Sequence, residues 1–109
     1  MYIYNITFQV SPEIEKEWLD FLKQKFIPQM LASGVLQSAL TSKIVATGDS
    51  GTSYSVQFKT KDKYTLDKFL KEEFDAVFEK FYLKFAPKMV FFATELDVLD
   101  ETINKKANE

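Results

Sequence analysis

Five polar side chains in this 109-residue sequence stand where an alternating pattern would bring them to one surface. They are Asn5, Thr7, Ser55, Gln57 and Glu95. Each lies in a segment where apolar residues take every second position, so on extended strands these five would share the opposite face. Glu95 is the one general acid or base of the set, and loss of its hydration would raise its pKa and let it take up a proton. A ligand or substrate site is one interpretation, and hydrogen bonding across strands or into a subunit interface is the other.

The residue types that are absent exclude much other chemistry. The sequence has no histidine, no cysteine and no arginine. It therefore offers no imidazole base, no thiolate nucleophile, no usual zinc ligand set and no histidine-ligated or cysteine-ligated haem. Without arginine there is no bidentate phosphate fork, and the three glycines, at 34, 48 and 51, form no phosphate-binding pattern. We predict a protein with no metal site and no cofactor.

Charge and hydropathy predict a protein that works in the cytoplasm. The formal net charge is −2 and the lysines are scattered, which does not suit nucleic-acid binding. The N-terminal residues lack the basic and apolar regions of a signal peptide, and no apolar run is long enough to span a bilayer. We therefore expect a soluble, cytoplasmic protein that binds neither nucleic acid nor a membrane.

The spacing of apolar residues predicts six elements in the order βαββαβ. Strands are predicted at residues 2–10, 35–47, 52–60 and 88–98, and helices from Ser11 to about 33 and at about 65–85. Ile27 and Pro28 are expected to disturb the first helix, with Ile27 pushed toward extended geometry, and Gly34 to end it. This order is that of the ferredoxin-like α+β fold, a four-stranded antiparallel sheet with both helices on one face. We expect one domain over residues 1–98 and a polar, frayed tail over 99–109.

The two faces of the sheet are predicted from the same alternation. The residues expected to face the helices are Tyr2, Tyr4, Ile6, Phe8 and Val10, then Tyr54, Val56 and Phe58, then Val90, Phe92, Leu96 and Val98. The opposite face would mix Asn5, Thr7, Gln9, Ser53, Ser55, Gln57 and Glu95 with Ile3, Met89, Phe91 and Ala93. Such a mixed face favours partial burial against a second copy, so we predict a homodimer through the sheet.

Five segments of the chain resemble a small bacterial family. They are residues 2–7 (YIYNIT), 18–22 (WLDFL) with 27–34 (IPQMLASG), 51–58 (GTSYSVQF) and 91–98 (FFATELDV), in one colinear register. Together they resemble the uncharacterised domain of unknown function 4286. The resemblance implies a ferredoxin-like chain of the dimeric α+β barrel type and implies no activity. Similar sequences often carry a histidine before the Ile-Pro pair, where this chain has Phe26, so any chemistry that needs that histidine is absent here.

Two other motifs suggest functions that the residue types argue against. Gly48, Asp49, Ser50 and Gly51 resemble the stretch around a serine protease nucleophile, but no histidine exists to activate Ser50, and these residues suit a turn. The βαββαβ order also fits an RNA-recognition motif, whose third strand should present aromatic residues where this chain has Ser53 and Ser55. We favour a non-enzymatic homodimeric domain that binds a small molecule or a protein partner. The alternative is a cofactor-free oxygenase or isomerase of the dimeric-barrel kind that uses Glu95.

Overall fold

Four strands form one antiparallel sheet in the computed structural model, which describes residues 1–45 and 52–108. The strands are β1 (Tyr2–Val10), β2 (Ser38–Ile44), β3 (Thr52–Thr60) and β4 (Met89–Asp97), in the spatial order β2-β3-β1-β4. Two helical arms, at 12–31 and 63–85, complete the βαββαβ order. The predicted ferredoxin-like α+β fold is confirmed. The predicted turn at Gly48 to Gly51, with Ser50, lies outside the described residues.

The first helical arm continues through its proline. It consists of a 3-10 turn (Pro12–Ile14), helix α1 (Glu15–Phe21), a π-helical turn (Leu22–Phe26) and helix α2 (Ile27–Leu31). The prediction that Ile27 would be extended is wrong, because its φ of −61° and ψ of −46° are helical and its N–H donates to the Leu22 carbonyl. Pro28 then lies in the first turn of α2, where its missing N–H is not needed. Gly34 follows the arm at a φ of +80°, as the predicted stop requires.

The second helical arm begins at an aspartate cap. It consists of α3 (Lys63–Phe69), a π-helical turn (Leu70–Phe74) and α4 (Asp75–Phe85). The Asp62 Oδ1 accepts a hydrogen bond of 2.8 Å from the Thr65 N–H, which satisfies one of the free donors of the first turn. Ala86 is extended and ends the arm before Pro87, as predicted.

The core lies between the helical arms and one face of the sheet. The buried strand residues include Tyr4, Ile6, Phe8 and Val10 of β1 and Tyr54, Val56 and Phe58 of β3, all as predicted. Phe81 lies at the centre of this core, with ring centroids 4.6 Å from Phe26 and 5.8 Å from Trp18. Phe26, the residue before the Ile-Pro pair, is therefore a core residue. Because both arms cover this side, the other face of the sheet has no covering element among the described residues.

The faces of β4 are the reverse of those predicted. We expected Val90, Phe92, Leu96 and Val98 to face the helices and Met89, Phe91, Ala93 and Glu95 to lie opposite, and this is wrong. The observed register places Met89 beside Val10 and Phe91 beside Phe8. Residues directly paired across antiparallel strands share a face, and both β1 residues face the helices. Glu95, which is beside Tyr4, therefore lies on the helix-facing side as well.

Contacts with the two helical arms determine this register. Met89 is buried, and its Sδ accepts a hydrogen bond of 3.0 Å from the Trp18 Nε1. The Phe91 ring packs edge-on against Phe78, with centroids 4.7 Å apart. These two contacts hold one parity of β4 against the helices and turn the other parity, including Val90 and Phe92, to the uncovered face.

Candidate functional site

The uncovered face of the sheet, called the open face below, brings four of the five predicted site residues together. It carries the side chains of Ser38, Leu40, Ser42 and Ile44; Ser53, Ser55, Gln57 and Lys59; Ile3, Asn5, Thr7 and Gln9; and Val90, Phe92, Thr94 and Leu96. The two inner strands contribute mostly polar side chains and the two outer strands most of the apolar ones. Leu40 is 58% exposed and Phe92 is 60% exposed, although both are large and apolar. The open face is thus a polar centre between two apolar margins.

Asn5 organises the hydrogen bonds at this polar centre. Its Oδ1 accepts a bond of 2.6 Å from the Ser55 Oγ. Its Nδ2 donates to the Thr7 Oγ1 and to the Thr94 Oγ1, at 3.2 Å each. Both N–H hydrogens of the Asn5 carboxamide are therefore bonded within the protein. Within the described residues both threonine hydroxyls accept a hydrogen bond and donate none. Thr7 and Thr94 can therefore each donate a hydrogen bond to a bound molecule.

Gln57 supplies a second kind of polar group beside this network. It pairs with Asn5 on β1 and with Leu40 on β2, which places it at the border between the polar centre and an apolar margin. It is half-buried, and its carboxamide makes no hydrogen bond in the part of the chain that the structure describes. An amide side chain both donates and accepts, so Gln57 can bind either a carbonyl or an N–H of another molecule.

The polar centre of the open face is electrically neutral. Among residues 1–45 and 52–108, Lys59 is the one ionisable side chain on this face. It pairs with Ser38 and Ile3, one position beyond the row of Gln57 and Asn5. The arrangement can bind by hydrogen bonds and apolar contact, and the centre itself holds no charged group.

Glu95 is not part of this site. It accepts hydrogen bonds from the Tyr2 hydroxyl at 2.9 Å and from the Lys63 Nζ at 3.0 Å, on the helix-facing side. The bond from Lys63 is the main cause that lowers the pKa of Glu95 below its ordinary value, with the Tyr2 bond adding to it. The predicted location beside Asn5, and the raised pKa expected there, are wrong. Glu95 instead connects the outer strand β4 to the start of α3.

The sequence analysis missed Thr94, which takes the place that was given to Glu95. The cause is the reversed parity of β4, because Thr94 and Glu95 are neighbours on opposite faces. Thr94 lies directly opposite Asn5 in the register. No signal in the sequence identifies Thr94, because residues 89–93 are apolar at every position and the contact between Met89 and Trp18 selects the register.

Cavities in the described residues are shallow. A cavity of about 140 Å³ lies on the open face, lined by Thr7, Gln9, Ser53, Val90 and Phe92 among others. A larger groove of about 580 Å³ lies between the segment after α2 and helix α3, where Lys61, Lys68, Glu72 and Glu73 surround Val35 and Tyr64. Another, of about 340 Å³, runs between β4 and α4.

In the part of the chain that the structure describes, no three acidic side chains converge as a metal ion would require. No described helix has the length and apolar character needed to cross a membrane.

Solved structures share this fold at low sequence identity. A dimeric ferredoxin-like protein from an uncultured marine organism is 12% identical, with a TM-score of 0.71 over 93% of this chain and 97% of that one. An ethyl tert-butyl ether d (ethd) family protein from Bacillus halodurans is 17% identical, with a TM-score of 0.70 over 91% of this chain and 100% of that one. A proposed antibiotic biosynthesis monooxygenase from Deinococcus radiodurans is 14% identical, with a TM-score of 0.63 over 95% and 97% of the two chains.

Sequence comparison assigns the family. No curated protein sequence matches the chain. The family described as Domain of unknown function (DUF4286) matches residues 1–99, which span every strand and both helical arms. The chain therefore belongs to the DUF4286 family.

Proposed function

We propose that two copies pack open face to open face and form an α+β barrel that binds a small molecule in its lumen. The distribution of side chains on the open face carries this proposal. Apolar residues occupy the outer strands, with Leu40 and Ile44 on β2 and Val90, Phe92 and Leu96 on β4. The hydrogen-bonding groups lie between them. A second copy would cover the apolar margins and leave the polar centres of the two sheets facing each other.

The margins supply the reason for association. Contiguous exposed apolar surface of this kind marks an interaction site, because leaving it in water is unfavourable. A two-fold dimer uses the same surface on both subunits, so association would bury the apolar margins of both copies. Two of the solved structures that share the fold are described as dimeric ferredoxin-like proteins, which supports assembly as a dimer.

The polar centre selects the chemistry of the ligand. Thr7 and Thr94 offer hydroxyl donors, and Gln57 offers a donor and an acceptor. Among the described residues Lys59 is the one charged side chain on this face, and it lies one row beyond Gln57 and Asn5. No charged side chain in the row of Gln57 and Asn5 can neutralise an ion, and burying an unpaired ion is costly. We expect an uncharged molecule that carries at least one carbonyl-type acceptor and has an apolar part to contact Phe92. With Glu95 on the other side of the sheet, the enzymatic alternative has no carboxylate on the open face in the described residues, so binding is the function we propose.

The first test is the mass of the protein in solution, measured by size-exclusion chromatography with light scattering over a wide dilution series. We expect a mass near twice the 12.7 kDa of one chain, lost only at high dilution. A mass of one chain at every concentration would refute the barrel.

The second test addresses the lumen. We would screen neutral amide and carboxylate fragments by ligand-observed NMR and compare Gln57→Leu, which keeps the side-chain size, with Gln29→Leu on the exposed side of α2. Binding of neutral fragments that is lost only in the Gln57 variant is expected. Equal binding to both variants, or a preference for carboxylates, would contradict the proposed ligand class.

A further inference from the structure

A groove between β4 and α4 presents aromatic rings and acidic groups to the outside. Tyr82 and Phe91 are each 42% exposed and lie over Phe78, and Asp75 and Glu79 form the rim. The groove is shallow and open, with a volume of about 340 Å³. Neither carboxylate has an ion-pair partner in the described residues. The groove therefore suits an apolar segment that carries positive charge.

The segment after β4 carries apolar and basic side chains, and in the part of the chain that the structure describes these side chains neither join the core nor form ion pairs. Leu99 is 91% exposed and Ile103 is 65% exposed, and Lys105 and Lys106 follow. The backbone bond from the Val98 N–H to the Met1 carbonyl is the last hydrogen bond that holds the chain to the domain, since residues 99–108 bond only among themselves in the described part.

We propose that residues 99–108 of one copy dock in the groove between β4 and α4 of a second copy. Leu99 and Ile103 would cover the Tyr82 and Phe91 rings, and the two lysines would pair with Asp75 and Glu79. Apolar side chains would meet apolar side chains, and two lysines would meet two carboxylates, none of which has an ion-pair partner among residues 1–45 and 52–108. This inference rests on the proposed dimer and adds to it an exchange of segments between the two copies.

The geometry of β4 favours the partner's groove over the chain's own. The segment leaves the sheet beside Asp97, whereas Phe91 lies six residues back along the same strand, about 20 Å away. To reach its own groove the chain would have to reverse direction immediately after β4. Leu99 lies only two residues beyond Asp97, within about 7 Å of it, so it cannot reach the Phe91 of its own chain.

Charge reversal tests the pairing in the full-length protein. The double variant Lys105→Glu/Lys106→Glu is expected to raise the dimer dissociation constant at least fivefold, because each substitution acts at two symmetric sites. Adding Asp75→Lys/Glu79→Lys to the same chain should restore most of the affinity. The control Lys16→Glu/Lys25→Glu changes the charge equally on the exposed surface of the first helical arm and should leave the dimer unchanged. An equal loss in the control, or no recovery in the fourfold variant, would overturn the inference.

Cross-linking then decides which copy supplies the segment. A one-to-one mixture of unlabelled and ¹⁵N-labelled protein is allowed to exchange subunits and is treated with a zero-length carbodiimide. Peptides that join Lys105 or Lys106 to Asp75 or Glu79 should appear as mixed light and heavy pairs. Pairs of one label only would show that the segment folds onto its own chain, and a stable dimer without these cross-links would show that it does not dock. Both results overturn this inference and leave the barrel intact, whereas a monomeric wild-type protein would overturn both proposals.

Discussion

Replacing Phe92 by serine removes the largest apolar side chain of the open face and tests the barrel most directly. Phe92 is 60% exposed in one copy. Since a phenylalanine can bury roughly 200 Å², about 120 Å² of this residue remains for a partner to cover. At about 25 cal/mol per Å² that area stabilises the dimer by up to ~3 kcal/mol per copy, and by up to ~6 kcal/mol for the two copies together.

The measurable effect is a shift in the dilution at which the dimer dissociates. If between half and all of that area is buried on association, Phe92→Ser raises the dimer dissociation constant by roughly a hundredfold to ten-thousandfold, at a factor of ten per 1.4 kcal/mol. Analytical ultracentrifugation over a dilution series gives this constant. The folded state should persist, because in one copy the ring is mostly in water already.

A matched control separates interface loss from a general effect of removing an exposed aromatic ring. Tyr64 is 75% exposed on α3, on the helical side of the sheet, and Tyr64→Ser should leave the dissociation constant within about threefold of the wild type. If Phe92→Ser dissociates at the same concentration as the wild type, the open face is not the dimer interface and the reasoning fails.

Three further predictions concern the fold itself. Phe81→Ala, at the centre of the aromatic core, should lower the free energy of unfolding by about 3–5 kcal/mol, measured by chemical denaturation. Lys63 lowers the pKa of Glu95, so this carboxylate stabilises the folded state above its unfolded pKa and loses that effect as the pH falls through its folded pKa. Glu95→Gln should therefore cost under about 1 kcal/mol at neutral pH, and the difference from wild type should shrink as the pH falls below the ordinary glutamate pKa of about 4.3 and be lost below the lowered folded pKa. A difference that stays constant as the pH falls through this range would contradict this account. Burial, and then the bond to Glu15, raises the pKa of Tyr54 to about 12, so its contribution to stability is present below about pH 10 and is lost as the pH rises through about 12. Ultraviolet difference titration should show a phenol that ionises near pH 12 and is missing in Tyr54→Phe.

Local pattern was sufficient for much of the fold. Strands β1 and β3 have the predicted bounds because apolar and polar residues alternate along most of each strand. The helices follow from apolar stripes, and Gly34 and Ala86 end them where the backbone cannot continue a helix. Pro28 did not break the first arm, because the π-helical turn before it shifts the hydrogen bonds so that Pro28 falls in a first turn.

The candidate site divides in the same way. Asn5, Thr7, Ser55 and Gln57 lie on the two inner strands, where the parity of each strand was unambiguous, so the sequence alone determined that they share a face. The sequence alone also excludes chemistry that needs histidine, cysteine or arginine, because the chain contains none of these residues.

Strand β4 is where only the tertiary structure could decide. Residues 89–93 are apolar at every position, so both faces are equally suited to burial and alternation carries no information there. The Trp18 Nε1 bond to the Met89 Sδ and the packing of Phe91 on Phe78 select one parity. That choice removes Glu95 from the open face, puts Thr94 beside Asn5 and turns Phe92 outward. A shift of one residue in the parity of β4 would put a carboxylate on the open face. The observed parity instead gives a neutral site beside an apolar margin.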